Sequence, residues 1–379
     1  MDPEEPDVNE SYVLTCIHTV INNVLNCMTA QELNICARVC KCWWSAVHVI
    51  KEKRQQRNLI KWLSVEVGDE KDNPTLINQI QDFFKYELVT LKVKVPARSQ
   101  SNRPKRATKF EKLEFKDFVQ SLLPNTCKFI GIATEGVIGT SSNLEKIQEV
   151  EGEKFMSLLC IPRIKGVDIL TKSADITEND NITTFIPKEK TVKTILFFCD
   201  DPRCPQKIGN TLRDNYEGAI IAGGYIDCHI SPDLPCGDRN DSESRPIYVS
   251  CVAFCGENLH CASIVLEHST HTPQEIEEKI LKLKGCGLPE EKSFAFMFAC
   301  VARGKAFHQK ENVESSIFQK HFPKTPLFGF FGNGEIGFTH LTDARNANLR
   351  LKMEEGQSKK RLPKLHHSYS SVFCLVSVM

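Results

Sequence analysis

A long stretch of this sequence occurs twice, and the repeat constrains the fold more than any other feature. Residues 318–337 predict the last turn of a helix, an apolar strand and a glycine-rich turn. Residues 118–139 follow the same order. The matching positions are Pro124 and Pro323, Thr126 and Thr325, Phe129 and Phe328, Gly131 and Gly329, Gly136 and Gly334, Ile138 and Ile336, and Gly139 and Gly337. A long unit seen twice favours two related α/β halves over a solenoid.

The flanks of the two copies also correspond. Each copy is preceded by a strand, a helix and another strand, and these helices are predicted at residues 74–91 and 273–284. Each copy is followed by a further apolar strand, at residues 155–161 and 371–378. The predicted fold class is therefore α/β (α+β layered), with mixed β-sheets covered by helices.

Composition narrows the kind of protein this is. The formal net charge of zero gives no electrostatic reason to expect direct nucleic-acid binding. No apolar run approaches the roughly 18 to 20 residues of a membrane helix, so we expect no membrane contact. The 17 cysteines have irregular spacing, which suits a reducing compartment better than a disulfide framework. The acidic residues 1–10 do not resemble a signal peptide and are expected to be disordered.

The N-terminal segment has apolar residues at helical spacing. One helix is expected to begin near Tyr12 and to carry Val20, Val24 and Leu25 on its apolar face. A second helix, capped by Thr29, is expected to carry Leu33, Val39 and Trp43 on one face. About forty residues of helix cannot build a self-sufficient core, so these faces need a partner.

Part of the second predicted helix resembles a known motif. The run Val39-Cys-Lys-Cys-Trp43 resembles the Val-Cys-Arg-x-Trp signature of the F-box. The resemblance implies that residues 11–55 dock on the Skp adaptor of a cullin–RING scaffold. The residues it assigns to that contact are Val20, Val24, Leu25, Leu33, Val39 and Trp43. The same pattern also fits an ordinary helical hairpin packed on the main domain.

The C-terminal half resembles a second family. Residues 294–304 and 326–337 are similar to the C-terminal part of the FIST domain, which occurs in prokaryotic sensory proteins. The resemblance implies an N-terminal FIST half at residues 56–190 and a C-terminal half at residues 191–379. It also implies that the body captures a small ligand or a protein.

The glycine-rich turn satisfies the pattern G-x-G-x-x-G, from Gly332 to Gly337. A dinucleotide site needs this pattern to open a helix, whereas the residues that follow predict a strand. We therefore interpret Gly334 and Gly337 as backbone positions that need positive φ or close approach. Asn333 and Glu335 differ from their partners in the first copy, and we expect them to be exposed recognition residues.

Cys300 and Arg303 form the remaining candidate site. A thiol beside an arginine at the end of a strand could have a lowered pKa and react with electrophiles. The alternative is a buried core cysteine. The sequence contains no C-x-x-C pair and no G-x-S-x-G signature, so we expect no metal site, no cofactor and no catalytic set.

Taken together, the two resemblances imply a non-catalytic substrate receptor of a cullin–RING ubiquitin ligase. Its targets would be proteins, with nuclear transcription or chromatin regulators suggested by the resemblance. We expect it in the cytoplasm and nucleus. A module that senses a small ligand and regulates a partner is the alternative, and an enzyme with a cleft between the halves is a third possibility.

Overall fold

The computed structural model describes most of the predicted body and part of the N-terminal helices. The described residues are 18–28, 30–57, 60–66, 94–96, 129–153, 155–162, 164–176, 182–204, 206–231, 234, 246–341 and 363–379. The predicted helix at residues 74–91, the first repeat before residue 129 and the predicted disorder of residues 1–10 lie outside these ranges.

The described residues contain seven α-helices and seventeen strands. The helices are α1 (His18–Asn26), α2 (Ala30–Cys36), α3 (Lys41–Arg57), α4 (Gln206–Asn215), α5 (Pro273–Lys284), α6 (Lys305–His308) and α7 (Val313–His321). The strands are β1 (Lys61–Glu66), β2 (Lys94–Pro96), β3 (Gly131–Ala133), β4 (Gly136–Thr140), β5 (Ile147–Glu151), β6 (Phe155–Cys160), β7 (Asp168–Asp175), β8 (Val192–Cys199), β9 (Ile220–Tyr225), β10 (Cys228–Ile230), β11 (Tyr248–Cys255), β12 (Leu259–Leu266), β13 (Ser293–Cys300), β14 (Leu327–Gly332), β15 (Glu335–Ile336), β16 (His366–His367) and β17 (Ser371–Val378).

Three sheets share one strand order. The first sheet runs β1-β6-β2-β3-β10, the second β7-β11-β8-β9-β15-β16, and the third β12-β17-β13-β14-β4-β5. The strand directions also agree. In every sheet the third strand runs parallel to the fourth, whereas the first, second and third strands are antiparallel to one another in turn and the fifth is antiparallel to the fourth. The body therefore consists of three related units, β1–β6, β7–β11 and β12–β17.

Each unit extends a neighbouring sheet, the second unit by one strand and the first and third units by two, β4 with β5 and β15 with β16. β4 of the first unit pairs with β14 in the third sheet. β10 of the second unit pairs with β3 in the first sheet, and β15 of the third unit pairs with β9 in the second. The exchange is cyclic, so every sheet contains a strand from another unit.

The exchanged strands have the same register in all three sheets. Gly131 faces Ile230, Gly223 faces Ile336, and Gly329 faces Ile138. In each unit the glycine precedes its isoleucine by the same number of residues. At Gly223 and Gly329 a Cβ would lie 1.9 Å from the Phe197 carbonyl oxygen and 1.7 Å from the Met297 carbonyl oxygen. Glycine is needed there because the parallel neighbour strand leaves no room for a side chain.

The structure corrects the two-half organisation predicted from the sequence. The repeat and its order are as predicted, but a third copy lies between the two that the sequence revealed. In this middle copy Cys228 and Ser231 stand where the other copies have glycine. The proposed boundary at residues 190 and 191 falls between β7 and β8, inside the second unit. The mixed α/β class is confirmed.

The core of the body has three parts. A central cluster joins apolar side chains of all three sheets, among them Ile132, Phe198 and Phe298. A second cluster packs the outer face of the third sheet against α5 and α7. A third packs the outer face of the second sheet against α4. Apolar faces covered on both sides are typical of strands that run parallel in the middle of a sheet.

The N-terminal helices form a small core of their own. The cluster contains Ile21, Leu25, Leu33, Cys36, Ala46, Val47 and Ile50, all buried. The single helix predicted across residues 30–47 is instead two helices separated by a turn at residues 37–40. The turn rotates Val39 away from Leu33, so the two side chains do not share a face. Among the described residues, no helix is long and apolar enough to cross a membrane.

Candidate functional site

Glu335 lies inside the body, although the sequence predicted an exposed residue. It belongs to the exchanged strand β15, which inserts beside Gly224 of β9. Only 1% of the residue is exposed. Its Oε2 accepts hydrogen bonds from the backbone N–H of Ser370 at 3.1 Å and from the Ser370 hydroxyl at 2.6 Å. The predicted exposure of Glu335 is therefore wrong, because strand exchange turns this side chain inward.

The two carboxyl oxygens of Glu335 are not equally hydrogen-bonded. Its Oε1 has no N–H or O–H partner among the described residues. Burial raises the pKa of Glu335 to about 7, against hydrogen bonds from Ser370 and Cys300 and the positive charge of Arg303. Replacing Glu335 by alanine will leave the buried N–H and hydroxyl of Ser370 without their acceptor, so it will not be the near-neutral change expected of an exposed residue.

Cys300 does not have the environment of a reactive thiol. The residue is 7% exposed, at the end of β13. Burial and the neighbouring Glu335 raise the pKa of its thiol above the ordinary value. The lowered pKa predicted from the adjacent arginine is wrong, because the guanidinium of Arg303 is committed to Glu314. The alternative of a buried core cysteine agrees with the structure.

Arg303 is buried, and its hydrogen bonds hold neighbouring segments of the chain together. It is 1% exposed and binds Oε1 of Glu314 through Nε at 2.9 Å and Nη2 at 2.6 Å. Its remaining donors reach three backbone carbonyls, those of Glu267, Thr270 and Tyr369, at 3.1, 3.1 and 3.4 Å. Charge-assisted hydrogen bonds in a dry site are strong and directional. Arg303 thus fixes two loops against the start of β17.

Glu314 joins a second carboxyl to this network. Burial alone would raise the pKa of Glu314, but a hydrogen bond from His308 at 3.1 Å and the charge of Arg303 leave it below its ordinary value. Glu149 of β5 accepts a hydrogen bond from the backbone N–H of Ser315 at 2.6 Å. Burial and the charge of Glu314 raise the pKa of Glu149 to about 7. The first and third units therefore meet at two buried carboxyls, and the pKa of Glu149 is raised whereas the pKa of Glu314 is lowered.

The position of Glu335 recurs in the other units with different chemistry. By register it corresponds to Val137 and His229. The His229 ring nitrogens lie 3.0 Å from the Ser250 hydroxyl and 2.9 Å from the Tyr248 carbonyl oxygen. One fold position thus holds a valine, a histidine or a glutamate, which is typical of a shared backbone geometry rather than of a cofactor site.

The glycine-rich turn is scaffolding, as predicted. Gly334 has φ +126°, and a Cβ at Gly337 would lie 2.5 Å from Cγ1 of Val372. Asn333 is exposed, and its backbone N–H donates to the carbonyl of Tyr225 at 3.2 Å. The turn leads into β15 and not into a helix, which removes the dinucleotide interpretation. Of the candidate recognition residues, only Asn333 is on the surface.

The six residues assigned to adaptor binding are not equivalent. Leu25 and Leu33 are fully buried in the core of the N-terminal helices, and Val20, Val24 and Trp43 are half-buried. Val39 alone is exposed, at 60%. The sequence analysis missed the other exposed apolar side chains of these helices, Ile35, Trp44 and Val49. Trp44 directly follows Trp43, the last residue of the motif, and only the turn at residues 37–40 decides which of the two faces outward.

A cavity lies between the three sheets, where a cleft between halves was considered. Its lining includes Ile132, Leu159, Phe198, Phe298 and Phe330. The cavity is small and almost entirely apolar, and none of the candidate recognition residues lines it. No group of three or more His, Cys, Asp or Glu side chains among the described residues is arranged to hold a metal ion.

Comparison with known proteins finds similarity to both families that the two motifs resemble. Residues 241–338 match the FIST C domain family. F-box only protein 22 of Homo sapiens is 27% identical over 397 residues, covering 98% of this chain and 95% of the relative. The chain resembles F-box only protein 22 along nearly its whole length. The Pongo abelii F-box only protein 22 gives the same identity and coverage. The resemblance to F-box and FIST proteins drawn from the motifs is thereby confirmed.

Two further similarities are more limited. An F-box/LRR-repeat protein of Arabidopsis thaliana is 38% identical over 86 residues, which is 22% of this chain and 14% of that protein. The crystal structure of a cyanuric acid hydrolase from A. caulinodans aligns with 84% of this chain and 99% of its own, at 7% identity and a TM-score of 0.36.

Proposed function

We propose that this protein is a substrate receptor of a cullin–RING ubiquitin ligase. Its N-terminal helices dock on the Skp adaptor, and its three-unit body holds the target protein. The observation that carries the proposal is the exposure of Ile35, Val39, Trp44 and Val49, at 67%, 60%, 51% and 45%, on a small helical unit whose core is already filled. The similarity of the whole chain to F-box only protein 22 supports it.

The physical argument rests on the distribution of apolar surface. Single exposed apolar residues are normal, but four large ones on one small helical unit favour an interaction surface. Among the described residues of the body, only Leu281, Tyr369 and Met379 are large, apolar and exposed. The N-terminal helices therefore carry most of the exposed large apolar residues of the described chain, and a partner protein would cover them.

The proposed mechanism is proximity rather than catalysis. Holding a target beside a charged ubiquitin-conjugating enzyme raises the effective concentration of its lysines. The receptor contributes no nucleophile to that reaction. We propose further that it acts in the cytoplasm and nucleus.

The test replaces Val39 by glutamate in the full chain. A charge buried at the adaptor contact without a partner should cost a few kcal/mol, about 2 or more, and abolish adaptor co-purification. The melting temperature of the body should not change, because Val39 contacts none of its core clusters. Leu281→Glu, the same kind of change at an exposed residue of α5, is the matched control and should leave adaptor binding intact. Retained adaptor binding in Val39→Glu would contradict the proposal.

A further inference from the structure

Four aromatic side chains form a continuous row on the surface of the third unit. Phe307 stacks on His271 with ring centroids 5.6 Å apart. His271 contacts His268 at 5.5 Å, and His268 contacts Tyr369 at 5.5 Å. We call these four residues the ring row. Tyr369 is 55% exposed, both histidines are exposed, and Phe307 is half-buried.

The ring row is held rigidly from below by Arg303. The guanidinium carbon of Arg303 lies 4.9 Å from the centroid of Phe307. The carbonyls bound by Arg303, those of Glu267, Thr270 and Tyr369, belong to the two loops that carry the other three rings. A buried arginine thus organises all the backbone segments of an exposed feature. The rings are fixed before any partner arrives, which lowers the entropic cost of binding.

Tyr369 provides a second sign that the arrangement serves recognition. Its φ of +56° lies in the left-handed region, which a bulky residue rarely adopts. Backbone strain of this kind persists only where the surrounding structure enforces it, and it is concentrated at binding and active sites. The strained backbone presents a large aromatic side chain to solvent instead of burying it.

Each histidine of the ring row has a glutamate nearby, Glu267 as a neighbour in the chain and Glu275 through a hydrogen bond. Glu267 is exposed and precedes His268. Glu275 is exposed, and its Oε2 accepts hydrogen bonds from the backbone N–H groups of His271 at 2.8 Å and Thr272 at 2.9 Å. The nearby cation Lys305 is paired with Glu311 at 2.6 Å. The faces of the rings and the adjacent carboxylates together favour a positively charged ligand group.

We propose that the ring row binds arginine or lysine side chains of a basic segment in a target protein. Guanidinium and ammonium groups would lie over the face of Tyr369, and a guanidinium plane would also stack on the His268 ring, with Glu267 and Glu275 supplying the complementary charge. This inference deepens the proposed function, since it names the chemistry by which the receptor selects its targets. Binding of such a segment does not require the adaptor, so the two ideas can fail separately.

The experiment measures binding of fluorescein-labelled twelve-residue peptides to the full-length protein by fluorescence anisotropy. One peptide alternates arginine with serine, and a second alternates glutamate with serine. The wild type should bind the arginine peptide and not the glutamate peptide. Tyr369→Ala should weaken arginine-peptide binding about three- to fivefold, and the double variant with His268→Ala about tenfold, because each ring contributes a modest cation–π interaction.

The controls separate loss of the ring from loss of the fold. Tyr369→Phe keeps the ring and should restore binding to within about twofold of the wild type. Leu281→Ala removes an exposed apolar side chain elsewhere and should change nothing. If Tyr369→Ala unfolds, His268→Ala alone decides the question, with an expected loss of about two- to threefold. Equal binding of both peptides, or unchanged affinity in the ring variants, would overturn the inference. Adaptor co-purification by the same variants should stay intact, so its loss would count against the proposed function instead.

Discussion

Replacing Glu149 by glutamine should stabilise the folded body at pH 8. Glu149 is buried where β5 of the first unit meets α7 of the third, with 9% of the residue exposed. The charged groups that act on it are Glu314, which disfavours its ionised form, and His308, which favours it. Glutamine keeps an oxygen that can accept the hydrogen bond from the backbone N–H of Ser315. The substitution therefore removes a buried charge at little cost in contacts.

The sign and size of the effect follow from the pKa. Burial raises the pKa of Glu149 from 4.5 to about 7, so the folded protein favours the protonated form. The stability from this group is fully present below pH 4.5, declines as the pH rises, and is lost above about pH 7. A displacement of that size corresponds to about 3 kcal/mol. Since Glu314 is coupled to Glu149, we expect the variant to recover about 2 kcal/mol at pH 8 and nothing below pH 4.5.

The assay is thermal unfolding of the full chain at pH 5 and pH 8. A gain of about 2 kcal/mol corresponds to a rise of roughly 3 °C in melting temperature at pH 8, because the entropy of unfolding grows with chain length. The control is Glu145→Gln, the same chemical change at an exposed residue just before β5. Some pH dependence will remain in the variant, because the pKa of Glu335 is also raised to about 7. An equal shift at both pH values, or a lower melting temperature at pH 8, would refute the reasoning.

The remaining predictions concern the exchanged strands. Gly329→Ala should destabilise the body by about 3 kcal/mol or more, because its Cβ would lie 1.7 Å from the Met297 carbonyl oxygen. Gly218→Ala, which has φ +81° and open space around it, should cost only about 1 kcal/mol in chemical unfolding, and similar losses at both sites would contradict the packing argument. Residues 55–190 and 191–379 expressed separately should bind hydrophobic dye, because the first fragment lacks β10 and β14 and the second lacks β4. Two cooperatively folding, soluble fragments would disprove the strand exchange.

The repeat can be recognised in the sequence where residues that lie close together in the chain recur at the same spacing. Pro323 follows α7 and Pro124 stands at the matching position of the first copy, and glycine and isoleucine recur at fixed distances, so two copies are visible without a structure. The middle copy keeps Gly223 and Ile230 but has Cys228 and Ser231 in place of the later glycines. Only the register with neighbouring strands identifies it. Pairing partners that lie about a hundred residues apart leave no mark in local spacing.

The candidate site could be predicted only in part, because local spacing does not show which residues contact one another in the fold. A glutamate in a glycine-rich segment usually faces water, and nothing near Glu335 in the chain indicates that Ser370 will enclose it. Arg303 and Cys300 are close in sequence, but the partner of Arg303 is Glu314, and that pairing decides the pKa of its neighbours. The N-terminal helices, where the F-box-like motif lies, have a hydrophobic cluster separate from those of the body. The turn at residues 37–40 decides which side chains of these helices are exposed, and tertiary packing rather than the local sequence determines that turn.

The cyclic exchange of β4, β10 and β15 also bears on how the body is made. During synthesis the first sheet cannot be completed until β10 has emerged, and β4, which pairs with β5, lacks its second neighbour until β14 is made. The second sheet waits for β15, and the third has β17 between β12 and β13. The first two units therefore leave the ribosome with an open sheet edge, which is prone to association with other chains. The body can complete its sheets only late in synthesis, and a chain that stops before β17 will leave the third sheet without the strand between β12 and β13 and thus open to chaperones and proteases.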